Sequence, residues 1–218
     1  MTKKGLGPEG RRNSSSRKFH KKPMLSNLLI YCEGEKTEPN YFRSFRIARE
    51  VVGEGYNTLS LVKEAMDYAA RKGGFDEIWC VFDRDSFEAP NFDNAIQNVE
   101  ALAKKRTNII KVAYSNEAFE LRYLLHFEYQ DTALSRTRYG ERLTRHLGRD
   151  YKKNDTTMYA TLQAKGGEAL ATRHAAALRI THLEGTPPHK RNPETTVDLL
   201  VKRLRDLQRK KTLLGQGG

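Results

Sequence analysis

Carboxylates recur where short apolar runs of this chain end. Glu33 follows Leu28-Leu29-Ile30-Tyr31-Cys32, Asp83 and Asp85 follow Ile78-Trp79-Cys80-Val81-Phe82, and Glu117 and Glu120 follow a run from Ile109 to Tyr114. Within Asp83-Arg84-Asp85 an extended backbone sends both carboxylates to the same side. If the runs lie side by side, these acids share one rim. Two carboxylates about 4 Å apart at an effective dielectric near 20 repel by roughly 4 kcal/mol. Either one of them takes a proton or a cation sits between them. Hard oxygen donors with no neighbouring histidine suit Mg²⁺ or Mn²⁺. A metal held by few carboxylates keeps positions for phosphate and water, the arrangement of metal-assisted phosphodiester chemistry. Each piece alone has a plainer reading. An Asp-x-Asp can cap a helix and pair with arginine, Glu33 can cap or form a salt bridge, and Glu120 can pair with Arg122 or Lys36. Acids at three run ends together favour the metal.

The runs themselves have the length and continuity of strands buried on both faces. Between them lie helical signals. Thr37-Glu38-Pro39 offers a capping residue, an early acid and a first-turn proline, followed by Tyr41, Phe42 and Phe45. Val51-Val52 is a second short strand closed by Gly53-Glu54-Gly55. Leu61, Val62, Ala65, Met66 and Ala69 form the stripe of a helix capped by Thr58 and stopped at Gly73-Gly74. Phe92, Ile96, Val99 and Ala103 mark another, and Asn116 can cap a further one containing Phe119, Tyr123, Leu124 and Phe127. Strand and helix thus alternate four times, which predicts an α/β fold with a mostly parallel sheet flanked by helices. In such sheets ligands bind outside the carboxyl ends of the strands, where the acids sit. Residues 130–190 are helical in tone but poorly patterned. Asn192-Pro193-Glu194 reads as a helix start, with Val197, Leu200, Val201, Leu204 and Leu207 as its core stripe. No internal repeat is visible.

Charge and length bound the rest. The chain has 218 residues and a formal charge of +12, with a mean hydropathy of −0.74. That length suits one domain with an appendage and buries enough surface to need no disulfide staples. No apolar run approaches the ~20 residues of a membrane span. No apolar stretch follows the basic N-terminus, so a secretory signal is not expected. Cys32 and Cys80 are expected as buried, reduced thiols, which points to the cytoplasm. Residues 1–22 carry eight basic residues, among them Arg11, Arg12, Lys21 and Lys22, against the single acid Glu9. This composition predicts a disordered basic arm suited to phosphates. Arg138, Arg142, Arg145 and Arg149, with Lys152 beside them, form a second basic stretch. On a helix the four arginines would share a face, where an anionic partner would relieve their repulsion. His126, His146, His174, His182 and His189 show no ligand spacing.

Four segments carry a resemblance. Glu33-Gly34-Glu35-Lys36-Thr37-Glu38, at the end of a first buried strand, resembles the Glu-Gly motif of Toprim domains, most closely in the form used by OLD-family nucleases. Asp83-Arg84-Asp85 resembles the Toprim Asp-x-Asp. Together with Ser115-Asn116-Glu117-Ala118-Phe119-Glu120-Leu121, Leu124-Leu125-His126-Phe127 and Asn192-Pro193-Glu194-Thr195, they resemble the RloB-like (AbiLii-like) family. The likeness covers about 25–127 and 192–208. It departs at Glu117-Ala118, where the family commonly has other small residues, so Glu117 inherits no role.

With the composition and the pattern, the resemblance divides the chain into a disordered arm over 1–24, a Toprim-like core over 25–128 and a mainly helical extension over 129–218 packed on it. It implies a Mg²⁺-dependent nuclease of a bacterial anti-phage, abortive-infection type system, often encoded beside an ATPase. Carried across, Glu33 is a general acid/base or metal ligand, Asp83 and Asp85 hold Mg²⁺, and Glu120 is a further ligand. Lys36, from its placement alone, could neutralise the leaving phosphate. The substrate could be DNA or RNA, and the oligomeric state is open. The competing reading is a non-catalytic nucleic-acid or partner-binding subunit that keeps the same core. A phosphatase-like enzyme is disfavoured because the Asp-x-Asp ends the third strand rather than the first. A dinucleotide-binding fold is disfavoured because Gly53-Glu54-Gly55 lacks the third glycine.

Overall fold

The computed structural model describes residues 25–55, 58–84, 89–104 and 109–215. The basic arm, with Arg11, Arg12, Lys21 and Lys22, lies outside the described residues, and so does Asp85. The chain runs through β1 (Leu28–Cys32), α1 (Thr37–Arg43), β2 (Glu50–Gly53), α2 (Thr58–Lys72), β3 (Glu77–Asp83), α3 (Ala89–Ala103), β4 (Ile109–Asn116) and α4 (Glu120–Leu124). It continues through α5 (Arg136–Leu147), α6 (Met158–Lys165), α7 (Glu168–Thr181), a 3₁₀ turn at Pro188–Lys190, β5 (Glu194–Thr195) and α8 (Val197–Gly215).

The sheet order is β2-β1-β3-β4-β5. The first four strands are parallel and β5 is antiparallel to β4. Alternation along the strands divides two cores. Leu28, Ile30, Cys32, Trp79, Val81 and Ala113 face a cluster completed by α1 and by α4 through α8. Leu29, Tyr31, Ile78, Cys80, Phe82, Ile110 and Tyr114 face α2 and α3. Both faces of the central strands are therefore covered, which is why β1 and β3 read as unbroken apolar runs.

Two expectations are corrected at the sheet edge. Asn116 does not cap a helix. It ends β4, and its Nδ2 donates to the carbonyls of Pro188 (3.2 Å) and His189 (3.1 Å). The last helix starts at Val197 rather than at Asn192-Pro193-Glu194. Glu194 and Thr195 instead pair with Asn116 and Ser115 as β5, and the Tyr114 hydroxyl donates to Glu194 Oε1. The stripe Val197, Leu200, Val201, Leu204 and Leu207 is buried as the pattern predicts. At the start of β3, Glu77 accepts a forked pair from Arg203 of α8, with Nε 2.9 Å from Oε1 and 3.0 Å from Oε2. The helical extension is thus sewn into the sheet, supplying its fifth strand and most of one face.

Cys32 and Cys80 are free and buried, and they belong to opposite faces of the sheet. Burial pushes the Cys80 thiol up to about 12. Burial, reinforced by the charge of Glu38, also raises the Cys32 thiol. The reactive species is the thiolate. Iodoacetamide at pH 8 should therefore leave the folded chain unlabelled and add two groups once denaturant is present. Rapid labelling of either thiol in the folded protein would contradict this packing.

Candidate functional site

The carboxyl ends of β1, β3 and β4 open into one cleft of about 580 Å³. Its lining includes Glu33, Lys36, Glu38, Asp83, Glu120, Arg136 and Lys153. Glu33, Asp83 and Glu120 come from segments far apart in sequence, and the fold brings all three to this rim.

The β1 end is held by backbone. The Glu33 amide donates to the Val81 carbonyl (2.8 Å), and the Glu33 carbonyl accepts from the Gly55 amide (2.9 Å). The loop passes so close to β2 that a Cβ on Gly53 would fall 2.4 Å from the Gly34 carbonyl oxygen. A Cβ on Gly34 would fall 2.1 Å from Glu38 Oε2. Gly34 thus leaves the space that the Glu38 carboxylate occupies against the turn.

The carboxylates are then tied to one another. Glu33 Oε2 accepts the amide of Asp83 at 3.1 Å, bridging β1 and β3. Asp83 Oδ2 accepts the Phe119 amide at 2.9 Å, bridging β3 to the entry of α4. The same oxygen accepts from the Arg136 guanidinium at 3.1 Å. Glu120 Oε1 accepts the Tyr151 hydroxyl at 2.9 Å. Glu120 Oε2 is buried and accepts no hydrogen bond; its nearest cation is Arg136, with Nε 3.8 Å away. Burial and the nearby Glu120 carboxylate raise the Tyr151 phenol, so it stays protonated and donates.

Asp85 lies outside the described residues. Lys36 is exposed at the cleft mouth. Glu117 is not in the lining; its Oε2 lies 3.5 Å from Asn192 Nδ2. Glu120 does not pair with Arg122, whose buried guanidinium points elsewhere, its Nε 3.4 Å from the Tyr41 hydroxyl. The basic stretch holds its helical spacing only through Arg138, Arg142 and Arg145 of α5. α5 ends at Leu147, where Gly148 takes the left-handed conformation, so Arg149 is off the helix. There it pairs with Asp155 at 2.5 Å. Arg142 pairs with Glu128 at 2.7 Å and Arg138 with Glu141 at 3.0 Å. Arg145 and Lys152 are exposed.

Sequence reasoning missed Glu38, Arg136 and Lys153 of the cleft lining, and Tyr151, which holds Glu120 from beside it. Glu38 was available only as an early helical acid, yet it is buried. Arg136 and Tyr151 lie in the poorly patterned stretch, where no spacing signals a contact with β3 or α4.

The donors are all oxygens, and the Glu120 oxygen without a hydrogen bond is where a cation would compensate it. This chemistry fits a hard divalent ion. Among the described residues, no group of three acidic, histidine or cysteine side chains stands converged as a ready metal cage.

Glu38 shows the electrostatic cost. Burial, together with the charge of Glu120, raises its carboxyl above the usual range, opposed by a backbone hydrogen bond and by Lys153 and Arg136. A carboxyl raised on folding contributes stability below its unfolded value that is lost as pH rises through the folded value. Glu38→Gln should therefore melt at a higher temperature than the parent at pH 7.5, and the gap should close near pH 4. A melting gap independent of pH would show that the carboxyl's charge is not the cause.

Neither the curated proteins nor the solved structures gave a match. A family model described as RloB-like protein matches residues 28–204, a stretch that includes every residue of the cleft lining; the chain therefore belongs to the RloB-like family.

Proposed function

We propose that this RloB-like protein is a metal-dependent nuclease of a bacterial anti-phage defence system, using a Toprim-type rim related to that of OLD-family nucleases. The observation that carries the reading is the cleft itself. Glu33 and Asp83 reach it from the ends of β1 and β3 and Glu120 from the start of α4, and one Glu120 oxygen there is buried without a hydrogen bond. Glu33, Asp83 and Glu120 would hold Mg²⁺ or Mn²⁺, joined by Asp85. When bound, such an ion supplies Lewis-acid stabilisation of charge developing on a phosphoryl oxygen.

The chain's own residues supply the rest. Glu33 acts as general acid/base. Lys36 and Lys153 at the cleft mouth attract the phosphate backbone, and Lys36 neutralises the leaving phosphate. Tyr151 keeps Glu120 oriented. The basic arm, with Arg11, Arg12, Lys21 and Lys22, and the exposed Arg145 and Lys152 supply further phosphate contacts. Arg138, Arg142 and Arg149 contribute less, because each is already paired with an acid. The substrate is DNA or RNA, and an ATPase encoded in the same locus is the expected partner.

Labelled RNA and DNA panels, incubated with and without Mg²⁺ and with and without a neighbouring ATPase, test the reading. Cleavage should require the metal. Glu33→Gln, Asp83→Asn and Glu120→Gln should each reduce it, the first two by roughly a thousandfold or more. Unchanged cleavage in Glu33→Gln and Asp83→Asn would end the enzyme reading. A binding-only subunit would hold nucleic acid as well or better after these changes, because negative charge facing phosphate is removed.

The arm makes a separate prediction. Removing residues 1–22 should weaken nucleic-acid binding and flatten its dependence on salt, by about 0.9 in log–log slope for each duplex DNA phosphate that the arm had neutralised. An unchanged slope would show that the arm touches no phosphate.

A further inference from the structure

Arg136 is the first residue of α5, a helix whose start is fixed by Ser135, which accepts from the Arg138 amide. From there its guanidinium reaches into the acidic cleft. One terminal nitrogen lies 3.1 Å from Asp83 Oδ2, and Nε lies 3.8 Å from Glu120 Oε2. It therefore stands against two of the oxygens that the metal reading needs. Guanidinium and a divalent ion want the same carboxylate oxygens, and both cannot have them at full strength. Arg136 cannot resolve the conflict by losing its proton, because arginine stays charged. It has to move.

The exposure pattern allows that. The side chains of Asp83 and Glu120 are 4 % and 1 % exposed, while that of Arg136 is 35 % exposed. The acids are fixed in the wall and the cation stands on the open side. A long side chain in the first turn of a capped helix can swing without moving the helix. Its planar fork also suits a phosphate, which it can grip through two nitrogens.

We propose that Arg136 and the divalent ion compete for Asp83 and Glu120. Without the ion, the guanidinium holds the acidic cluster together. Ion entry displaces it, and the displaced guanidinium turns to the substrate phosphate in the same cleft. This inference rests on the metal reading of the preceding section and adds to it a residue with opposite effects on the two ligands.

The test uses the full chain and reads binding rather than turnover. Free Mn²⁺ is followed by electron paramagnetic resonance in the parent, Arg136→Ala, Arg136→Gln and Asp83→Asn. Affinity for a fluorescent single-stranded oligonucleotide is measured by anisotropy in Ca²⁺. Loss of Arg136 should tighten Mn²⁺ binding roughly tenfold, the scale of one charge-assisted hydrogen bond, while weakening the oligonucleotide by a similar factor. Arg136→Lys should restore part of both. A merely structural role would weaken both ligands together. Arg136→Gln keeps a polar side chain without the charge, so a folding defect confined to the alanine variant leaves the test intact. Equal or weaker Mn²⁺ binding in the Arg136 variants, with binding lost in Asp83→Asn, would overturn the competition and leave the metal reading standing. No saturable Mn²⁺ binding in the parent or any variant would overturn the metal reading, and the competition with it.

Discussion

Acids gathered at one end of a parallel sheet repel, and Glu33, Glu38, Asp83 and Glu120 of this cleft are each compensated by a different device. Glu33 accepts a backbone amide from the neighbouring strand. Asp83 accepts an amide and a guanidinium on one oxygen. Glu120 accepts a phenol on one oxygen, while the other has no hydrogen bond. Glu38, buried in the first turn of α1, is shifted toward its protonated form by burial. Hydrogen bonds to the charged form offset part of the desolvation and repulsion, but they leave an incomplete neutralisation. On the proposed metal reading, that deficit is what a divalent ion would answer, and Arg136 would then be its rival as well as a support.

The compensation comes largely from residues 130–190. Arg136 starts α5, and Tyr151 and Lys153 lie in the connection from α5 to α6; the helices around them are anchored by few apolar side chains: Tyr139, Leu143 and Leu147 in α5, Met158 and Leu162 in α6, and Ala171, Ala175 and Leu178 in α7. These join the same cluster as Leu28, Ile30 and Val81 of the sheet and Leu200 and Leu204 of α8. The parallel strands present the acids, and the helical half closes the charge balance around them. Neither part makes the cleft alone, which accords with one family model running through both.

The sheet was readable because its physics is local. Continuous apolar runs of strand length, separated by helical stripes, leave few alternatives, and acids at the run ends fall on the same rim once the strands are parallel. Glu33, Asp83 and Glu120 were found that way. β5 was hidden because a two-residue strand has no periodicity, and Glu194-Thr195 looks equally like the first turn of the helix that follows. The Arg138-to-Arg149 stripe failed for a related reason. Its spacing assumes an unbroken helix, but Gly148 ends α5 one residue before Arg149. Arg136 and Tyr151 meet their acids across sequence separations of 53 and 31 residues, and no pattern within one segment encodes such a meeting.

The aromatic packing beneath the cleft fixes the acids, whereas Arg136 stands partly exposed. Tyr41 of α1 packs edge-on against Phe119 with centroids 5.6 Å apart, Phe119 against Tyr123 at 5.3 Å, and Tyr123 against Tyr151 at 6.4 Å. The backbone amide of Phe119 holds Asp83, and the hydroxyl of Tyr151 holds Glu120. One continuous lattice of rings therefore positions both hydrogen-bond donors, and through them both carboxylates. Ring pairs of this kind add about 0.5–1.5 kcal/mol each beyond their buried area and lock side-chain geometry. A donor set fixed in this way does not collapse around whatever cation is present. It leaves the partly exposed guanidinium as the adjustable element, so that exchanging one cation for another need not rebuild the wall that holds it.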